Sequence, residues 1–102
     1  MSDFVVALTT VPAGFDAVGL ARTLVDRGLA ACVNVMPGVT SVYRWKSAVE
    51  VEAEQQLIIK TTADKISALD DAVQALHPHD VPEFIALPIV AGSQRYLAWL
   101  DE

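Results

Sequence analysis

The sequence predicts an α+β fold of β-α-β-β-α-β order with a helix at its C-terminal end, the ferredoxin-like split βαβ arrangement. Three observations carry this. Short apolar runs suited to strands alternate with two stretches of helical periodicity. Residues 31–62 read as one very long β-hairpin, rich in β-branched and aromatic residues. Two helices, finally, cover only one face of a four-stranded sheet, and the uncovered face needs a partner.

Taken in order, Phe4 to Thr9 is apolar, long enough for a strand and too short for a helix, and Pro12-Ala13-Gly14 breaks it. From Asp16 to Arg27, Val18, Ala21, Leu24 and Val25 recur at helical spacing, and Gly28 is a natural C′ residue. The first hairpin arm is Cys32 to Trp45, with Pro37-Gly38 marking a bulge or kink, since proline cannot donate to a ladder. The chain turns near Lys46-Ser47-Ala48. In the second arm, Val49 to Thr61, residues Val49, Val51, Ala53, Leu57 and Ile59 fall on one face. Glu50, Glu52, Glu54, Gln56 and Lys60 fall mostly on the other, and the three glutamates read first as a solvated acidic row that discourages edge pairing and second as a weak holder of divalent cations. Each arm of about 13 residues spans on the order of 43 Å, whereas a compact chain of this length is only about 33 Å across. The hairpin should overhang its own domain, and an overhanging apolar ribbon predicts an oligomer.

Thr62 can cap a second helix, in which Ile66, Leu69, Val73 and Leu76 form a stripe. His77 to Pro82 is loop, because its prolines deny helix and sheet alike. Phe84 to Val90 is a fourth strand that Pro88 places at an edge or bulge. Gly92 and Ser93 open a last helix carrying Tyr96, Leu97, Trp99 and Leu100.

Composition bounds the function. With 102 residues, 53% of them hydrophobic, and a mean hydropathy of +0.39, residues 1–102 suit one domain with a core and a subunit interface. The net charge is −6, from 7 basic and 13 acidic residues. No lysine or arginine cluster forms a stripe, so nucleic acid and anionic membrane are poor partners. Cys32 is the sole cysteine, which rules out an internal disulfide and fits a reducing compartment. Met1-Ser2-Asp3 runs straight into the first strand without a basic leader region, and a cytoplasmic location is expected.

The densest polar cluster is His77, His79, Asp80 and Glu83, four potential ligands within seven residues. Imidazoles with a carboxylate suit copper, zinc or nickel, although the same loop also reads as a solvated turn. Cys32 reads first as a small buried hydrophobe and second as a metal or redox thiol. No nucleophile–base motif, phosphate loop, dinucleotide fingerprint or H-E-x-x-H is present, which argues against an enzyme.

Five ordered segments resemble the CutA divalent-cation tolerance proteins over nearly the whole chain. They are Ala30-Ala31-Cys32-Val33-Asn34, then Pro37 to Trp45, then Lys60-Thr61-Thr62, then His77-Pro78 with Val81-Pro82-Glu83, and Tyr96 to Leu100. The resemblance implies a tight homotrimer whose long hairpins wrap neighbouring subunits, with an architecture similar to the PII signalling proteins. It also implies metal on a cysteine ending the first strand and on a histidine pair before the loop proline. The matching positions here are Thr9, Leu76 and His77, so only His77 is retained, and His79, where the family usually has tyrosine, is a candidate substitute. Lys60, Tyr43, Trp45, His77, Glu83, Tyr96 and Trp99 match positions lining a cleft between subunits.

The resulting expectation is a cytoplasmic, trimeric, non-enzymatic divalent-cation tolerance protein. It would bind copper, or zinc, reversibly through His77, His79, Glu83 and Cys32. Lys60, Tyr43, Trp45, Tyr96 and Trp99 would form a ligand-binding cleft. Two alternatives stay open: a PII-like small-molecule sensor at Lys60, and a structural or adaptor trimer without its own ligand.

Overall fold

Backbone pairing along the hairpin sets the shape of the molecule. In the computed structural model, which describes residues 3–102, β2 (Cys32–Trp45) and β3 (Ala48–Thr62) pair from Cys32↔Lys60 to Trp45↔Ala48. The register shifts between Met36 and Val39, where Pro37 lacks a donor and Gly38 takes a φ of 77°. Lys46 and Ser47 close the turn at φ of 49° and 70°, the left-handed pair that a two-residue hairpin connection needs. The molecule measures 45 × 25 × 23 Å. Its long axis exceeds the ~33 Å of a compact chain of this length, as the overhang predicts.

β1 (Phe4–Pro12) inserts between β3 and β4 (Ile85–Pro88), giving the strand order β2-β3-β1-β4 with every neighbour antiparallel. Alternation then separates two faces. Ala7, Thr9 and Val11 of β1 and Leu57 and Ile59 of β3 point to the helices and are fully buried. α1 (Ala17–Asp26) and α2 (Ile66–Leu76) close this side with Leu20, Leu24, Leu69 and Val73. Each such side chain stabilises the fold by about 1.5–3 kcal/mol relative to exposure. Asp16 caps α1 by accepting the Gly19 N–H at 2.9 Å. Gly28, at φ 72°, follows the C-cap Arg27 as the sequence predicts.

Several expectations change. β1 runs on to Pro12, because β3 offers it backbone partners as far as Glu54. β4 shrinks to Ile85–Pro88, paired with Val5 to Leu8 of β1, and the Ile89 N–H then donates to the Phe4 carbonyl at 2.9 Å. Val18 and Val25 are exposed, and the buried face of α1 is instead Ala17, Leu20, Ala21 and Leu24. Thr62 does not cap α2; its hydroxyl donates to the Asp64 carboxylate, and a 3₁₀ turn (Ala63–Lys65) leads into the helix. α3 (Gln94–Leu100) follows Ser93 and buries Leu100.

The overhang is apolar on its helix-side face. Val42 and Val51 are cross-strand partners there, 66% and 65% exposed, beside Val49 at 63%. They continue the Leu57–Ile59 row past the point where α1 and α2 end their cover. The opposite face of the same ribbon carries Tyr43, Trp45, Glu50 and Glu52.

Candidate functional site

The hairpin's polar face and the loop after α2 enclose a groove of about 970 Å³. Tyr43, Trp45, Glu50, Glu52 and Glu54 form its ribbon wall. His79, Asp80 and Glu83 of the loop stand opposite, with Thr10 of β1 at the base. Neither lysine nor arginine lines it among the described residues. Five carboxylates around one histidine therefore make a strongly negative hollow, and low-dielectric walls concentrate that field.

The acidic row was expected to be solvated, but Glu54 is only 6% exposed. It stands between Pro12 of β1 and Val39 of β2, its cross-strand neighbours in the sheet. Among the described residues its carboxylate has neither hydrogen-bond nor ion-pair partner, and Thr9 Oγ1 is the one fully enclosed polar atom left unbonded. The Glu54 oxygens thus keep access to the groove. Glu52 is committed differently, since it accepts the Tyr43 hydroxyl at 3.0 Å.

That bond, then partial desolvation, then repulsion from Glu52, Glu50 and Glu54, raises the Tyr43 pKa above its ordinary 10.0. Because the folded value lies above the unfolded one, the contribution to stability is complete below pH 10.0 and is lost as pH rises through the raised value. An absorbance titration of the phenolate in a Tyr96→Phe background should therefore place Tyr43 above 10.0, and Glu52→Gln should bring it back toward 10.0.

The structure distributes the predicted metal residues over three places. His77, at the end of α2, is 8% exposed and has both ring nitrogens engaged. Nε2 lies 2.6 Å from the Thr10 carbonyl oxygen, and Nδ1 is 3.0 Å from the His79 amide. A carbonyl can only accept and an amide can only donate, so His77 carries its proton on Nε2. It ties the loop to β1. His79, Asp80 and Glu83 face the groove. Cys32 is half-buried and pairs with Lys60, about 33 Å farther along β3 than Glu50. Thr9 is sealed in the core, and Leu76 packs against that core. Among the described residues, no three His, Cys, Asp or Glu side chains converge closely enough to hold an ion.

The predicted ligand cleft divides likewise within one chain. Lys60 Nζ donates to the Tyr96 hydroxyl at 3.3 Å and lies 5.6 Å from that ring's centroid. Trp99 stacks obliquely on Tyr96 at 5.6 Å. Tyr43 and Trp45 belong to the acidic groove instead. Thr10 was not singled out by the sequence, whereas Asp80 was named among the loop's potential ligands and Glu54 only as part of the acidic row. The period-two recurrence of glutamate at positions 50, 52 and 54 was the signal for Glu54, but it is buried where β3 runs beside the distant Pro12 of β1.

Fold and groove together define an α+β subunit with ferredoxin-like strand order, an overhanging ribbon and an acidic, imidazole-bearing hollow. The pattern described as "CutA1 divalent ion tolerance protein" matches residues 5–102. The chain belongs to this CutA1 family. It is 48% identical over 97 residues to the divalent-cation tolerance protein CutA of Thermus thermophilus, covering 95% of this chain and 94% of that one. A solved structure of the divalent cation tolerance protein from Thermus thermophilus superposes with a TM-score of 0.92 at 47% identity, covering 96% of this chain and 95% of that one. The Xenopus laevis CutA homolog is 47% identical over 94% of this chain, which spans only 64% of that longer protein. A structure described as a periplasmic divalent cation tolerance protein CutA, from Archaeoglobus fulgidus, superposes at a TM-score of 0.88 with 33% identity, covering 98% and 95% of the two chains.

Proposed function

We propose that this chain acts as one domain of a cytoplasmic homotrimer that confers divalent-cation tolerance by binding copper, or zinc, reversibly in grooves between subunits. The observation that carries this reading is the half-built site. His79, Asp80 and Glu83 face the acidic row across the groove, yet no three ligands converge among the described residues. Imidazole with carboxylates suits copper and zinc, and an incomplete donor set favours weak, exchangeable binding over a closed structural site. The ribbon, exposed on one face at Val42, Val49 and Val51 and on the groove face at Tyr43 and Trp45, supports a partner subunit that completes the set. The lone thiol, Cys32, supports a reducing compartment. The residues of the site bind and release; none forms a nucleophile–base pair, and the reading is of a binding protein rather than an enzyme.

Equilibrium dialysis against copper and zinc tests this directly. Wild type should bind saturably, and His79→Ala and Glu83→Gln should each weaken binding by about 10–100-fold. Equal binding in all three proteins would overturn the reading. One observation favours a second reading, a PII-like sensor of a small anionic metabolite. Lys60, braced by Tyr96 and backed by Trp99, presents a cation on an aromatic wall.

A further inference from the structure

We propose that the turn after β1 is a cradle for a monovalent cation of the potassium class, formed by the Pro12, Ala13 and Phe15 carbonyls and gated by the Gln55 amide. These three carbonyl oxygens lie 3.1, 3.2 and 2.9 Å from Gln55 Nε2. An amide nitrogen carries only two hydrogens, so it serves two acceptors well and not three. Three negative ends therefore converge on one point with more acceptor capacity than the amide can use. A cation has no directional demand and satisfies all three, as backbone carbonyls do where they replace the hydration shell of potassium. The donors are neutral oxygens, which suits a single charge; calcium sites add carboxylates, and magnesium keeps its water.

Gln55 supplies both states of the gate. The oxygen and nitrogen ends of its amide are nearly the same size, and rotation about the last side-chain bond exchanges them. With Nε2 inward, the amide closes the cradle on itself. With Oε1 inward, four oxygens face one another, an arrangement that holds only around a cation. The ion thus binds the minor form, and its apparent affinity is lowered by that form's small population. Two further features favour entry. Ala13 and Gly14 are exposed, and a Cβ on Gly14 would meet nothing within 4 Å, so water can complete the shell. The Asp16 carboxylate, which caps α1 at the Gly19 N–H, offsets the positive end of that helix. Gln55 alternates with Glu54 along β3, so the cradle and the acidic groove lie on opposite faces of the sheet.

Potassium binding here is independent of the copper and zinc reading, since ion class and sheet face both differ. Chelator-treated, isotope-labelled, full-length protein in tetramethylammonium chloride is titrated with potassium chloride at constant ionic strength. NMR follows the side-chain amide protons of Gln55 and the backbone amide of Gly14. Both should shift saturably in the millimolar range, and magnesium chloride at equal ionic strength should move neither. Gln55→Glu, which presents oxygen permanently, should bind potassium roughly tenfold more tightly. Gln55→Leu should abolish the Gly14 shift, and the wild-type Gln55 signal stands by itself where Gln55→Leu folds poorly. Gln55 and Gly14 resonances that are the same in potassium and tetramethylammonium chloride, or that respond equally to magnesium, would overturn the proposal. So would a Gly14 shift that persists in Gln55→Leu, or a potassium affinity unchanged in Gln55→Glu.

Discussion

Charging the valine face of the ribbon should dissolve the assembly while leaving the subunit folded. In Val42→Lys/Val51→Glu, the two substituted positions are direct cross-strand partners, so the new opposite charges support the hairpin pairing itself. Between subunits the effect is the reverse. Valines that are about two-thirds exposed in one chain are replaced by charges that lose water on association, and each desolvated ion costs several kcal/mol. Assembly should weaken by more than about a thousandfold. Light scattering should read three times the 11.0 kDa chain mass for wild type and a single chain mass for the variant. Far-ultraviolet circular dichroism should match between the two. A variant that keeps the wild-type mass would show that this face is not the subunit interface.

The second large effect concerns His77. His77→Ala removes a buried ring, strands the Thr10 carbonyl and frees the His79 amide. The lost packing and the unpaired carbonyl together should cost about 3 kcal/mol, read as a lower urea midpoint. His79→Ala, by contrast, should leave stability within about 0.5 kcal/mol of wild type, because its side chain carries no bond that holds the fold. The pair separates two roles that the sequence alone merges. Copper binding lost in both variants, with stability lost only in His77→Ala, makes His79 the ligand and His77 the positioning residue. Unaltered stability in His77→Ala would instead return His77 to the set of free ligands.

Much of this protein was written locally. Strand and helix periods, the bulge at Pro37-Gly38, the αL residue Gly28 and the overhang of the hairpin all depend on spacing or on backbone chemistry within a few residues. The five family segments were legible for the same reason, since each is a contiguous string of side chains. Element ends were less so. Pro12 remained in β1 because β3 extends beside it, and β4 pairs only from Ile85 to Pro88, opposite Leu8 to Val5.

What only the tertiary structure decided is which side chains share a surface. The family resemblance grouped Tyr43, Trp45, Lys60, Tyr96 and Trp99 in a cleft between subunits; within one chain the ribbon holds Lys60 about 33 Å of strand away from the Tyr43 pair, so such a cleft needs a second copy. The sequence grouped His77 with His79, but packing at the end of α2 buried the first and left the second facing the groove. It placed Glu54 in solvent with Glu50 and Glu52, but in the sheet Glu54 pairs with Pro12, 42 positions earlier, and is buried. Periodicity fixes the face of a strand on which a residue stands, because that is a property of the backbone. Whether the face is dry, wet or completed by a neighbour depends on long-range pairing, which residue order does not display.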